Sequence, residues 1–432
     1  MKMQETEKPQ AEHNPTPKRG VVLAIVVAAL GYFVDIYDLI LFGVIRVDSL
    51  KDIGLTQQQI QTDGEIVLSV QMIGLLLGGI VWGIIGDRKG RLSVLFGSIL
   101  IYSLANIANG FVNDLTSYAV LRFIAGIGLA GELGAGITLV SELMTKEKRG
   151  YGTTIVAAFG LLGAVVAGAV GGYNWNLGIA NWRVAYFVGG GLGLLLLVLR
   201  IGVFESGMFS QAKAASVQRG NFLALFTKKE RFLKYLHSIL IGIPIWYIVG
   251  LLVFFLPEFV QALDLPARVQ ENVNVGQAIS LCYIGLAIGD ISSGLLSQVL
   301  KSRKRAVATF MVLTVAFGGY YLLGGMTSLT QVYVTCFLLG FGTGYWAVFV
   351  TVASEQFGTN IRATVTTTVP NFVRGSLSLV ILLFTFLREE NGLGLGMVNS
   401  ALIVGGIVFA AAFTSLYLMP ETYGKDLNYL EE

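Results

Sequence analysis

Apolar residues fall in runs of about 20, the length a helix needs to cross the hydrocarbon core of a bilayer, and polar clusters separate them. The pattern predicts helices at approximately 21–45, 66–86, 93–111, 117–142, 151–172 and 181–203. After a break it predicts six more, at approximately 236–256, 275–300, 306–325, 329–353, 364–387 and 396–418. This is the pattern of an all-α integral membrane protein with 12 transmembrane helices in two sets of six. It divides the chain into a polar tail (1–20), a first half (21–204), a polar, basic linker (205–235), a second half (236–419) and a short polar end (420–432). The last part of the linker could lie as an amphipathic helix on the membrane surface.

The halves are related. "SELMTKEKRGYGTT" at 141–154 aligns without gaps to "SEQFGTNIRATVTT" at 354–367, an offset of 213 residues and close to half the chain. Two pseudo-symmetric six-helix halves with a site between them at mid-membrane is a recurrent transporter plan.

Charge orients the bundle. Assigning the Lys and Arg residues to alternate sides puts 23 on the face of the tail, the Arg88–Arg91 loop and the linker, and 5 on the other, with Arg122 and Arg374 left inside spans. We call these the basic and the sparse face. The positive-inside bias makes the basic face cytoplasmic, with both termini there, in a plasma membrane such as a bacterial inner membrane. Composition agrees: of 432 residues 54% are hydrophobic and 13% charged, and mean hydropathy is +0.70. The net charge of +3 reflects these loops and gives no reason to expect a nucleic-acid partner. Residues 1–20 lack the apolar centre of a signal peptide. Both cysteines, Cys282 and Cys336, lie in apolar runs and suggest no disulfide framework.

Several motifs sit on this frame. The loop after the second span reads "GIIGDRKGRL", with Gly83, Asp87, Arg88, Gly90 and Arg91 spaced as G-x-x-x-D-R-x-G-R, while its second-half counterpart "GLLSQVLKSRKR" has Gln298 in place of the acid. The fourth span carries "RFIAGIGLAGE", with Arg122, Gly126, Gly128 and Glu132. Glu142 with Arg149, Glu355 with Arg362, and "PETYGKDL" at 420–427 complete the set. Together these resemble the signature elements of the major facilitator superfamily, and in particular its metabolite:proton symporter and sugar-porter-like branches. The resemblance implies that fold and a gate on the basic face built from the loop residues and the Glu–Arg pairs. Two departures narrow the branch. Ala169 stands where proton antiporters of the superfamily carry Pro in the fifth helix, and the seventh helix lacks the glutamine pair of sugar porters.

The chemistry lies in charges that an apolar run should not contain, each costing roughly 2.5–3.5 kcal/mol at the centre of a membrane helix on insertion scales. Asp35 and Asp38 share one face of the first helix, and Arg122 and Glu132 lie on the fourth; the resemblance implies that these two helices line the central cavity together, so a pair between Arg122 and Asp35 or Asp38 is expected. Asp290 and Arg374, both near mid-membrane, are expected to form a second pair. Four acids then face two bases, and the excess makes Asp35, Asp38 and Glu132 the candidates for carrying a proton. Arg122, Trp246, Tyr247, Tyr345, Trp346, Asn371 and Arg374 are the candidates for binding substrate, whereas His237 reads as interfacial.

The sequence holds no phosphate-cradling loop, metal cluster or nucleophile constellation, so it points to neither an ATP-driven pump nor an enzyme, and to no cofactor. The leading expectation is a monomeric, proton-coupled symporter importing a small organic solute, best an organic acid. A carrier of a neutral sugar or polyol, an exporter, and a non-transporting sensor on the same fold are the alternatives.

Overall fold

The computed structural model describes residues 18–425 apart from 90, 133, 135, 137–148 and 206–221. At 18–21, 24, 86–89, 91–92, 149–155, 157–158, 202–205, 359–360 and 363 it describes the backbone alone. Among the described residues there is no strand. In hydrocarbon every backbone N–H and C=O must find a partner within the segment, which a helix alone provides without neighbours.

The first half comprises α1 (Lys18–Asp52), α2 (Gln57–Lys89), α3 (Arg91–Asn109), α4 (Leu115–Leu129), α5 (Arg149–Gly172) and α6 (Asn181–Glu205). The second comprises α7 (Lys229–Trp246, continued by a π-helical stretch Tyr247–Val253), α8 (Val275–Val299) and α9 (Arg303–Leu323). It continues with α10 (Leu329–Thr343 and Trp346–Glu355), α11 (Thr359–Gly375 and Leu377–Arg388) and α12 (Gly396–Leu418). Nine of these are long and apolar enough to cross a membrane, and three shorter apolar helices, at Ser93–Asn109, Leu115–Leu129 and Phe159–Gly172, bring the described set to twelve.

Local chemistry marks the ends. The side chains of Asp114, Asn274, Ser302 and Ser328 accept hydrogen bonds from first-turn amides of α4, α8, α9 and α10, and Ser328 with Gln331 forms a full capping box. Irregular turns sit inside spans as well. The π-helical stretch of α7 follows Pro244, which lacks the N–H that the regular ladder needs, and α10 breaks at Gly344–Tyr345. Several helix ends run past the apolar runs, α1 to Asp52 and α2 from Gln57, and α7 starts at Lys229, two turns inside the stretch assigned to the linker and preceded by a 3₁₀ turn at Phe222–Phe226. The helix expected for the last part of the linker is therefore continuous with the seventh span.

Without a hydrophobic drive between helices, packing depends on small residues that let backbones approach. The repeat is visible in these seams. In α2–α4 a Cβ on Gly126 would collide with the carbonyl oxygen of Gln71, and one on Gly74 with that of Phe123; in α8–α10 a Cβ on Gly340 would strike Cys282 O and one on Gly285 Phe337 O. The halves meet along two further seams, α5–α8 and α2–α11, which the repeat exchanges. In the first, Ser280 Oγ donates to Val165 O at 3.5 Å; in the second, Ser378 Oγ donates to Ser69 O at 3.0 Å.

Overpacking such a contact costs about 1–3 kcal/mol or more. Gly340→Leu should therefore cut the yield of folded, monodisperse protein in detergent severely. Gly294→Leu, where a Cβ meets nothing within 4 Å, should leave yield and melting temperature unchanged. Equal behaviour of the two variants would remove this account of the seam.

Candidate functional site

The buried charges form pairs whose quality differs. Glu132 is the best satisfied. Arg200 Nη1 and Nη2 donate to its two carboxylate oxygens at 2.9 and 2.8 Å, Ser98 Oγ adds a bond at 3.0 Å, and Arg200 Nη1 also reaches Leu95 O at 2.9 Å. Gly31 of α1 makes room for this pair, since a Cβ there would overlap the guanidinium. Sequence reasoning missed Arg200: it had been counted among basic-face loop charges, but it is 1% exposed. Its signal was the apolar stretch on both sides, "LLLLVLRIGVF". The four acids thus face three bases, not two.

Asp38 and Arg122 also meet, as the sequence suggested, with Nη1 to Oδ1 at 3.3 Å. Arg122 is committed elsewhere too, donating to Asn106 Oδ1 at 3.0 Å, Gln71 Oε1 at 3.4 Å and the backbone oxygen of Asp38 at 3.3 Å, with its guanidinium 5.4 Å from the Tyr186 ring centre. Little of it is left for a ligand.

Arg374 differs. The expected Asp290–Arg374 pair does not form; Arg374 Nη1 lies 3.6 Å from Asp35 Oδ2 instead, joining α11 to α1 across the two halves. Asp290 is satisfied by the break in α10, where its Oδ1 accepts from the Ala347 amide at 3.1 Å. A freed helix N-terminus presents N–H groups and positive dipole to an acid, so depth alone was a poor guide to its partner. The Asp35–Arg374 contact is an ion pair without a hydrogen bond. Among the described residues both oxygens of Asp35, and Nε and Nη1 of Arg374, are buried with no hydrogen-bond partner. Such groups are rare in native structures and ask for an explanation. The Trp346 ring lies beside this guanidinium, 5.7 Å away, and Trp346 is only partly buried.

The other candidates separate by what they touch. Tyr247 donates to Ala401 O at 2.7 Å and packs on Phe409, and Tyr345 donates to Ile241 O at 3.1 Å, so both hydroxyls tie helices together. Trp246 is buried within the second half. Asn371 bridges the halves, its Nδ2 donating to Ala130 O at 2.9 Å, while its Oδ1 is left without a partner among the described residues. His237, midway along the α-helical part of α7, has its Nδ1 3.1 Å from Ser415 Oγ.

Two more buried pairs cross the halves toward the sparse face. Arg46 Nη2 meets Glu258 Oε1 at 2.7 Å, and Glu65 is held by Arg388 and by Thr385 Oγ1 at 2.6 Å. Arg46 and Arg388 had been read as loop charges.

The amino-acid sequence matches the family model of the Major Facilitator Superfamily over residues 28–380. The chain belongs to the major facilitator superfamily. Among curated proteins it is 36% identical over 164 residues to the niacin transporter NiaP of Acinetobacter baylyi, covering 38% of this chain and 36% of that one. It is 27% identical over 314 residues to a probable 4-methylmuconolactone transporter of Cupriavidus pinatubonensis, 70% and 69% of the two chains. The first match thus spans only about a third of its relative's length. Among solved structures it is similar to a D-xylose-proton symporter, with a TM-score of 0.67 at 16% identity, covering 94% of this chain and 100% of that one.

Of the superfamily gate residues, Gly90 and Glu142 and the side chains of Asp87, Arg88, Arg91 and Arg149 lie outside the described residues. Gly83 of α2 faces Thr368 of α11, where a Cβ would sit 3.9 Å from Thr368 Cγ2. The expected Glu355–Arg362 pair is replaced: Glu355 meets Arg303 at 3.4 Å, and Arg362 donates to Ser354 O and Phe357 O, closing the end of α10. Near Gln298, Glu421 of "PETYGKDL" caps the start of α9, accepting from Ser302 Oγ and from the Arg303 amide at 2.9 Å. Partial burial pushes Glu421 up, but bonds from Ser302 and from the Tyr423, Arg303 and Thr422 amides outweigh it and hold the carboxyl below the ordinary range. That stabilisation is present above the unfolded pKa and is lost as pH falls through the lowered folded value.

Removing one partner of a buried pair costs about 3–5 kcal/mol, whereas replacing both by apolar groups is often neutral. Glu132→Leu should lower the melting temperature in detergent by many degrees, and adding Arg200→Leu should recover most of the loss. A single variant as stable as the parent would show that the pair contributes nothing.

Proposed function

We propose that this superfamily member is a proton-coupled symporter that imports a small organic acid by alternating access. Its basic face is cytoplasmic, in a plasma membrane such as a bacterial inner membrane, and its halves, 21–204 and 236–419, move about the site between them as a monomer. The observation that carries the reading is the loose Asp35–Arg374 pair, with unused acceptors on one side and unused donors on the other at a junction of the halves. A substrate carboxylate can take the Arg374 fork in two parallel bonds. Asp35, left without a cation in a buried place, then takes up a proton rather than remain a bare charge. Substrate and proton are thereby bound together, which is what symport requires.

Asp38 and Glu132 are secondary proton candidates on this reading, because each already has an arginine partner, and Arg122 holds Asp38 more than it meets substrate. Trp346 forms an apolar wall beside Arg374, and Asn371, whose Oδ1 has no partner among the described residues, lies one turn from Arg374 on α11. Trp246, Tyr247 and Tyr345 shape the second half around them. The relatives named for niacin and 4-methylmuconolactone support small ring-bearing organic solutes, and the two pairs across the sparse face support a conformation closed on that side.

Proteoliposomes loaded at a chosen pH test this. The parent should accumulate niacin, or another member of a panel of small carboxylates, under an inward proton gradient and ignore D-xylose. Asp35→Asn should abolish accumulation while retaining exchange of substrate for substrate, and Arg374→Lys, which keeps the charge but loses the fork, should weaken apparent affinity about tenfold or more. Restoration of full transport by Asp35→Asn with Arg374→Gln would reduce the pair to mutual neutralisation and favour a neutral solute.

A further inference from the structure

A cleft of about 840 Å³ opens on the side of the bundle between α2, α7 and α11. Its walls are apolar over most of their length, with Ile73, Phe232, Leu236, Ile243, Leu379 and Leu382 among them, and they come from both halves. The two ends are chemically opposite. Near the sparse face lie Glu65 and Glu389, both paired with Arg388. At the basic face the cleft reaches Phe226, Phe232 and Tyr235, next to Lys228 and Lys229. Lys229 precedes Phe232, Leu236 and Ile243 by 3, 7 and 14 residues, so a helix of 3.6 residues per turn puts it on the cleft face of α7. Both lysines are exposed, and neither has an ion pair or hydrogen bond among the described residues. The nearby acid Glu230 is taken by Lys234 at 3.3 Å.

We propose that this cleft is a binding site for one anionic phospholipid, its phosphate at Lys228 and Lys229 and an acyl chain laid along α7 toward mid-membrane. Charge complementarity fixes both the class of lipid and the leaflet. Basic residues at a membrane surface attract anionic headgroups, and the acids at the far end repel them. The apolar walls match an acyl chain and exclude a free polar anion as the main occupant. Because the chain contacts α2 on one side and α7 and α11 on the other, it would also brace the α2–α11 seam. The proposal is independent of the transported substrate.

Native mass spectrometry of the full chain released from detergent tests it, with phosphatidylglycerol and phosphatidylcholine of identical acyl chains as probes. The parent should hold one phosphatidylglycerol more tightly than phosphatidylcholine by tenfold or more. Each lysine should account for about fivefold, as expected for one basic residue at a membrane surface, so Lys228→Gln with Lys229→Gln should erase the preference. Leu382→Trp, which fills the cleft, should weaken both lipids, and millimolar inorganic phosphate or glycerol 3-phosphate should displace neither. Equal binding of the two lipids by the parent, an unchanged preference in the double lysine variant, or displacement by free phosphate would each overturn the proposal. The lysine variants lie on the surface and decide the matter even if Leu382→Trp fails to fold.

Discussion

A charge inside this bundle must have a partner, because neither lipid nor packed apolar side chains can solvate it. That constraint organises the structure. Among the described residues five pairs satisfy it: Asp38–Arg122 and Glu132–Arg200 inside the first half, and Asp35–Arg374, Arg46–Glu258 and Glu65–Arg388 between the halves. The pairs inside one half are hydrogen-bonded and knit the helices of that half. In the proposed alternating-access cycle those between the halves hold surfaces that must part, so their strength would set how readily the protein changes state. The two toward the sparse face are close and hydrogen-bonded. The remaining one, Asp35–Arg374, is loose, and a looser bond is one that a ligand can replace.

The geometry also sorts side chains that look alike. Arg122 and Arg374 are both buried arginines beside an aspartate of α1. One is saturated by Asp38, Asn106 and Gln71, and the other keeps donors free. A fully satisfied network rigidifies its surroundings, whereas an unsatisfied group stores free energy that binding can release. This difference, more than depth or charge, separates a candidate binding residue from a structural one.

How much of this was legible in the sequence followed from what each residue contrasts with. Asp35, Asp38, Arg122 and Glu132 stood out because each interrupts an apolar run, and the span count and repeat followed from run length. The partner of Arg374 was not legible, since sequence gives depth but not azimuth, and since the break at Gly344–Tyr345, which supplies Asp290 with amide donors, carries no proline to announce it. Arg46, Arg200 and Arg388 sit near span ends, where snorkelling to the interface is the usual fate of a long cation, so charge counting assigned them to loops.

The central claim is that substrate and Asp35 compete for Arg374, so that binding a carboxylate obliges Asp35 to take a proton. Proton uptake on binding measures this without any membrane gradient. Niacin, as the first of a panel of small carboxylates, is added to purified protein in weakly buffered detergent solution at neutral pH, and pH and bound ligand are followed together. The account predicts uptake of about one proton per ligand bound in the parent and none in Asp35→Asn. Binding with no proton uptake in the parent, or undiminished uptake in Asp35→Asn, would contradict it.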